Sequence, residues 1–241
     1  MRTMVRRAAP ALAVLMLAAL LGACSGPSDG ADAPAPSGST AQGKPAEQVC
    51  AGLLGGDGAT ALERLTGATR FAEDPGYDLT EVRSVTETAR RLEQSVPGSS
   101  ERLYLCLLDP LHVRGLSVFN LSAHWSRPKP NDRQWHSSVN ASVYDITGRG
   151  VHDDSAPYLS GSDSWGAVSF RCPVGRGGEE GIFLEVELTT SMLNPDDSPE
   201  RTELLVRVAY GAALTLVRGM GCLAESSLPQ SLGTITPLPK D

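Results

Sequence analysis

From residue 46 onward the apolar positions follow first a helical period, then an alternating one, then a helical one again. "AEQVCAGLLGG" (46–56) puts Val49, Cys50, Leu53 and Leu54 on one helical face and stops at paired glycines. Asp57 is placed to cap a second short helix carrying Leu62 and Leu65 and ended by Gly67. Asp78 and Glu81 form a capping-box pattern, and Val82, Val85, Ala89, Leu92 and Val96 follow at 3-4-3-4 spacing until Pro97-Gly98. The middle then changes period. "RLYLCLL" (102–108), "GLSVFNLSAHW" (115–125), "SSVNASVYDI" (137–146), "WGAVSFRCPV" (165–174) and "GIFLEVELTT" (181–190) read as strands. In the last, Ile182, Leu184, Val186 and Leu188 alternate with Phe183, Glu185, Glu187 and Thr189, as an antiparallel sheet with one watered face requires.

Ser198-Pro199-Glu200 opens a long helix with a cap, a proline at the first position and an acid in the first turn. Its stripe is Leu204, Leu205, Val208, Ala212, Leu216 and Met220, and Gly221 ends it. Arg201, Glu203, Arg207 and Arg218 mark it as a core helix and not a membrane span. No internal repeat occurs. The pattern predicts one α+β domain over 46–230, an antiparallel sheet of about five strands with N-terminal helices and a long C-terminal helix packed on it. Residues 231–241 read as a Pro-containing tail.

The first 45 residues carry neither period. Arg2, Arg6 and Arg7 precede an apolar run from Ala8 to Leu21, the layout of an export signal too short to span a membrane comfortably. The run ends in Leu21-Gly22-Ala23-Cys24, which resembles the lipobox of bacterial lipoproteins. The resemblance implies a diacylglyceryl thioether on Cys24 and cleavage before it, so that 1–23 is a signal peptide. Two acyl chains give stable attachment where one is marginal. Arg6-Arg7 also admits a twin-arginine route, which the residues after the pair match poorly. Residues 24–45 are then the lipidated cysteine and a Ser-, Pro-, Gly- and Ala-rich tether without large apolar side chains, spanning about 25 Å on average.

Loss of residues 1–23 removes three arginines and no acid, moving the formal net charge from −7 to −10. An acidic domain argues against nucleic acid and anionic lipid as partners for its surface. The membrane contact expected is the anchor on Cys24, at the extracytoplasmic face of the cell membrane.

With Cys24 assigned to lipid, Cys50, Cys106, Cys172 and Cys222 make an even set in an exported chain, which reads as two disulfides. The wide spacing fits neither zinc nor a redox motif. Three connectivities are open. The favoured one joins Cys50 to Cys222, tying the first helix to the last, and Cys106 to Cys172, stapling two strands. The "VCAGLL" helix, the strand ending "VSFRC" and the helix ending "GMGC" before a Pro-containing tail resemble secreted actinobacterial lipoproteins whose globular domain has no assigned function. That likeness spans about residues 46–230, implies the localisation and fold class above, and transfers no catalytic residue.

Chemistry is sparse. No G-x-S-x-G or H-E-x-x-H occurs, and "GSDSWG" (161–166) has the wrong spacing for a nucleophile elbow. "VGRGGEEG" (174–181) joins two strands and carries two acids, so it reads as a hairpin connection and not a phosphate cradle. Asp153-Asp154 and Asp196-Asp197 lack the alternating oxygens of a calcium loop. Asn120 and Asn140 sit in N-x-S patterns inside expected strands.

One asymmetry stands out. Seven of the twelve aromatics (Phe119, Trp125, Trp135, Tyr144, Tyr158, Trp165 and Phe170) lie between 119 and 170, with three of the four histidines, His124, His136 and His152. Aromatics with a polar edge are what recognition surfaces use. His124, Trp125, Trp135, His136, Tyr158 and Trp165 are therefore the candidate surface for a small ligand, an envelope polymer or a protein partner. The histidines lack a fourth ligand at a telling distance, so no metal or other cofactor is expected. A non-catalytic binding or interaction module is the reading this supports. An accessory subunit of a membrane enzyme or transporter and an envelope hydrolase are the alternatives.

Overall fold

The computed structural model describes residues 43–73, 84–95, 102–111, 113, 118–127, 141–146, 157–174, 182–191 and 198–239. Alternating positions become strands β1 (Phe71–Glu73), β2 (Leu103–Pro110), β3 (Phe119–Ser126), β4 (Ser142–Asp145), β5 (Tyr158–Gly161), β6 (Trp165–Phe170), β7 (Phe183–Thr190) and β8 (Thr236–Pro237). They form one antiparallel sheet in the order β1-β2-β3-β7-β6-β5-β4-β8. Two meanders, β1–β3 and β4–β7, are thus sewn together where β3 pairs with β7. All five expected strands are present. Among the described residues the sheet has eight strands, because β1, β5 and β8 are too short to show a period.

The helices are α1 (Gly55–Thr66), α2 (Val85–Gln94), α3 (Pro199–Met220) and the one-turn α4 (Leu223–Ser226). Ser198 caps α3 by accepting from the Arg201 amide at 3.2 Å, and Gly221 closes it in a left-handed conformation. α3 lies on β5, β6 and β7, with α1 and α2 packed against it. Fifteen of the 22 residues of α3 are buried, so its apolar stripe is wider than the sequence suggested. α2 starts at Ser84, whose hydroxyl accepts from the Glu87 amide at 3.1 Å. The expected capping box at Asp78 and Glu81, with Val82, Val96 and Pro97-Gly98, lies outside the described residues.

Glycine decides how closely α3 approaches. A Cβ on Gly166 would stand 2.5 Å from the Leu205 carbonyl carbon, and one on Gly211 would stand 2.2 Å from the Leu54 carbonyl oxygen. α3 therefore rests backbone to backbone on β6 beneath it and on the start of α1 above it.

Three expectations need correction. The first "helix" is a 3-10 segment, Ala46–Gly52, broken by positive φ at Cys50 (53°) and Ala51 (56°). The Glu73 carboxylate accepts the Cys50 amide proton there, supplying a partner that a helix would otherwise provide. Secondly, all four cysteines are in disulfides, but the pairs are Cys50–Cys106 and Cys172–Cys222, each with Cα atoms 5.4 Å apart. Cys106 cannot reach Cys172, because β3 and β7 separate their strands by about 14 Å of sheet. Thirdly, the tail is part of the fold. Ile235 is buried, Arg207 donates to the Leu232 and Gly233 carbonyls at 3.0 and 2.8 Å, and β8 pairs with β4.

Candidate functional site

Strand register sorts the central side chains onto two faces. Phe170, Leu184 and Trp125 share a row on the helix side, as do Val168, Val186 and Ala123, all buried. Trp125 is thus a core residue. Its indole N–H donates to the Leu92 carbonyl at the end of α2, at 2.7 Å. Phe119 and Tyr144 also point into the core, and burial pushes the Tyr144 hydroxyl pKa up, with nearby Glu203 adding to the shift.

The opposite face carries a different chemistry. One row runs His124, Glu185, Ser169, Tyr158 across β3, β7, β6 and β5. The next runs Tyr104, Ser122, Glu187, Ala167, Ser160, and the one beyond it Asn120, Thr189, Trp165. Small side chains floor the centre. Ser122 and Ser169 are 2% exposed and Ser160 is 3% exposed, although the described helices gather on the other side. Larger side chains stand around them: Tyr104, 42% exposed, at one end, and the half-buried Tyr158 and Trp165 at the other.

The charges are tied to one another. The Ser169 hydroxyl donates to Glu185 Oε2 at 3.3 Å, and His124 Nε2 lies 4.0 Å from Glu185 Oε1. Glu187 is ion-paired with Arg102. Burial nevertheless holds the Glu187 carboxyl above its ordinary pKa, against the pull of Arg102, and the neighbouring Glu185 charge adds to the rise. Arg171 lies over the Phe183 ring, 6.0 Å from its centroid, beside the His124 row. The Asn120 amide oxygen is shielded from water and finds no hydrogen-bond donor among the described residues.

Serine, histidine and glutamate are adjacent, but in the wrong order for acyl transfer. A nucleophilic relay needs imidazole between hydroxyl and carboxylate. Here the carboxylate lies between the other two, so the imidazole cannot take the serine proton. Among the described residues no group of His, Cys, Asp and Glu is placed to hold a metal ion. The arrangement sets hydroxyls, carboxylates and an imidazole side by side on the sheet, with the serines almost wholly buried and Tyr104 exposed at one end.

Of the candidate surface read from sequence, His124, Tyr158 and Trp165 share this face, while Trp125 is removed from it. Trp135 and His136 lie outside the described residues, as do His152, Asn140 and both Asp pairs. Asn120 faces the centre of the sheet and is a poor glycosylation acceptor. Sequence reasoning missed Arg102, Tyr104, Ser122, Ser160, Ser169, Glu185 and Glu187 as site residues. The one available signal was the pair of glutamates two residues apart on β7, whose significance depends on β7 being central. No protein-family model, curated protein or solved structure matches the chain.

Proposed function

We propose that the chain is a lipid-anchored extracytoplasmic lipoprotein whose domain is a non-catalytic binding module working through the outer face of its sheet. The observation that carries the reading is the polar row of His124, Glu185, Ser169 and Tyr158 across the central strands, on the face opposite the helices, with Trp165 on the same face about 14 Å along β6. Sheet cores seldom spend central positions on serines and glutamates without a use for them. The two disulfides suit an oxidising compartment outside the cytoplasm. Membrane attachment is assigned to the lipobox cysteine, Cys24, at the end of Leu21-Gly22-Ala23.

Two measurements test this. Cys24→Ala should move the protein from the membrane fraction to the soluble one, and unchanged fractionation with the signal segment removed normally would take the anchor out of the proposal. The released Cys24→Ala protein should then co-sediment with purified envelope, with retention cut about tenfold by Trp165→Ala. Failure to co-sediment would count against the binding role.

A further inference from the structure

We infer that the Arg102–Glu187 ion pair is an acid-operated latch, which holds the first residues of β2 on the sheet at neutral pH and releases them when Glu187 takes up a proton. The pair joins strands that are not neighbours. β3 lies between β2 and β7, so the guanidinium reaches across about 10 Å of sheet to a carboxylate on a central strand. What it holds is otherwise weakly held. β1 pairs with β2 only at Leu108, Asp109 and Pro110, and among the described residues 103–107 have β3 as their one strand neighbour. The register shifts between Tyr104 and Cys106, so Leu105 is an extra residue that interrupts the ladder. Ahead of that bulge stand only the pairs Leu103 with Ala123 and Tyr104 with Ser122. Leu103 is half-buried and Tyr104 exposed, so little apolar surface resists their release. Behind them Leu105 is buried and Cys106 is bonded to Cys50. The latch therefore governs a short unit, 102–104, and the disulfide stops its opening from spreading.

Proton uptake at Glu187 within the folded state follows from its neighbours. Burial raises its pKa, Arg102 lowers it, Glu185 two residues away on the same face raises it, and His124 on β3 lowers it. From β6 the residue opposite is the uncharged Ala167, and Arg171 lies over Phe183, four residues back along β7. Burial outweighs the cations. Above the folded pKa the carboxylate is charged and pairs with Arg102. As pH falls through that value the acid becomes neutral, the Coulombic hold on Arg102 is lost and repulsion between Glu187 and Glu185 is relieved. A partly exposed pair adds little to global stability. Opening two ladder positions at the start of a strand also requires little, so a weak pair is enough to control it. Acid thus loosens the Tyr104 end of the polar face while β5, β6 and β7 keep their pairing.

Amide hydrogen exchange of the released Cys24→Ala protein, followed by NMR from pH 7 to pH 4 and corrected for the intrinsic rate, tests the latch. The Glu187 side-chain carboxyl carbon is titrated in the same samples. Protection of the amides at 103–104 that bond to β3 should fall about tenfold as that carboxyl takes up its proton, while Val186 and Leu188 keep theirs. Glu187→Gln should show the lowered protection already at pH 7 and lose the pH dependence. Arg102→Ala, a change at a partly exposed side chain, should do the same, and it decides the matter if E187Q does not fold. Glu185→Gln removes a negative neighbour and should move the opening to lower pH, whereas His124→Asn should move it to higher pH. A purely structural role for these side chains gives no such opposed shifts. Protection at 103–104 that stays constant across the range, or a fall that persists in E187Q or R102A, overturns the latch. A fall shared by Val186 and Leu188 is global unfolding and overturns it as well.

Discussion

Glu187 shows how one side chain reports on its surroundings. Its carboxylate is tied to Arg102, which favours the charged form, yet burial raises its pKa above the ordinary 4.5. For an acid with a raised folded value, the unfolded chain gives up its proton first as pH climbs. The group therefore costs nothing below the unfolded value, and stability is lost as pH rises through the folded one. Glu187→Gln removes that loss and also the pairing with Arg102, a partly exposed side chain whose ion pair contributes little. In urea titrations the stability of E187Q relative to the parent should therefore improve between pH 4 and pH 7. A difference that stays flat across that range would mean burial does not govern this carboxylate. The neighbours His124 and Trp125 illustrate the same dependence on place. The sequence presents them as one aromatic pair, but adjacent residues of a strand face opposite sides, so one joined the polar face and the other the core.

At the scale of elements, periodicity was a good guide wherever the element was long enough to have one. The alternation in 181–190 and the Ser-Pro-Glu opening of α3 are found as read, because each depends only on neighbours along the chain. The three-residue β1, four-residue β5 and two-residue β8 owe their existence to partners already in place. So does the kink at Cys50, where Glu73 and the disulfide to Cys106 outweigh a helical pattern. The glycines at element crossings belong here too. Gly166→Ala puts a methyl group 2.5 Å from the α3 backbone, which has no side chain to yield. Overpacking of this kind costs about 1–3 kcal/mol or more, as α3 must lift from β6. Thermal melting should show a lowered midpoint for G166A, whereas Gly233→Ala, with open space at its Cβ, should melt close to the parent.

Across the whole molecule the two disulfides divide the work of cross-linking. Cys50–Cys106 fastens the entry segment to β2, and Cys172–Cys222 fastens the end of β6 to the end of α3. They close loops of 56 and 50 residues, each stabilising by about 4 kcal/mol on a chain-entropy estimate. Peptide mapping without reduction should recover these two pairs. Recovery of Cys106 linked to Cys172 would contradict the strand order itself. Beyond Cys222 the chain is held by Arg207 and by the Tyr210 hydroxyl, which donates to the Pro229 carbonyl and has its pKa pushed up to about 12 by burial. The tail then returns to the sheet as β8.

The sequence by itself determined the fold class, the long helix with its caps, and an even set of cysteines, because composition and periodicity act locally. It also supplied the expectation of an anchor at Cys24. Strand order was decided only by the tertiary structure. Pairing β3 with β7 brought His124 beside Glu185, kept Cys106 from Cys172 and placed two glutamates at the centre of a sheet. No local pattern encodes which distant strands meet. That choice is made by the long-range pairing and packing of the whole chain, and the candidate site is a product of it.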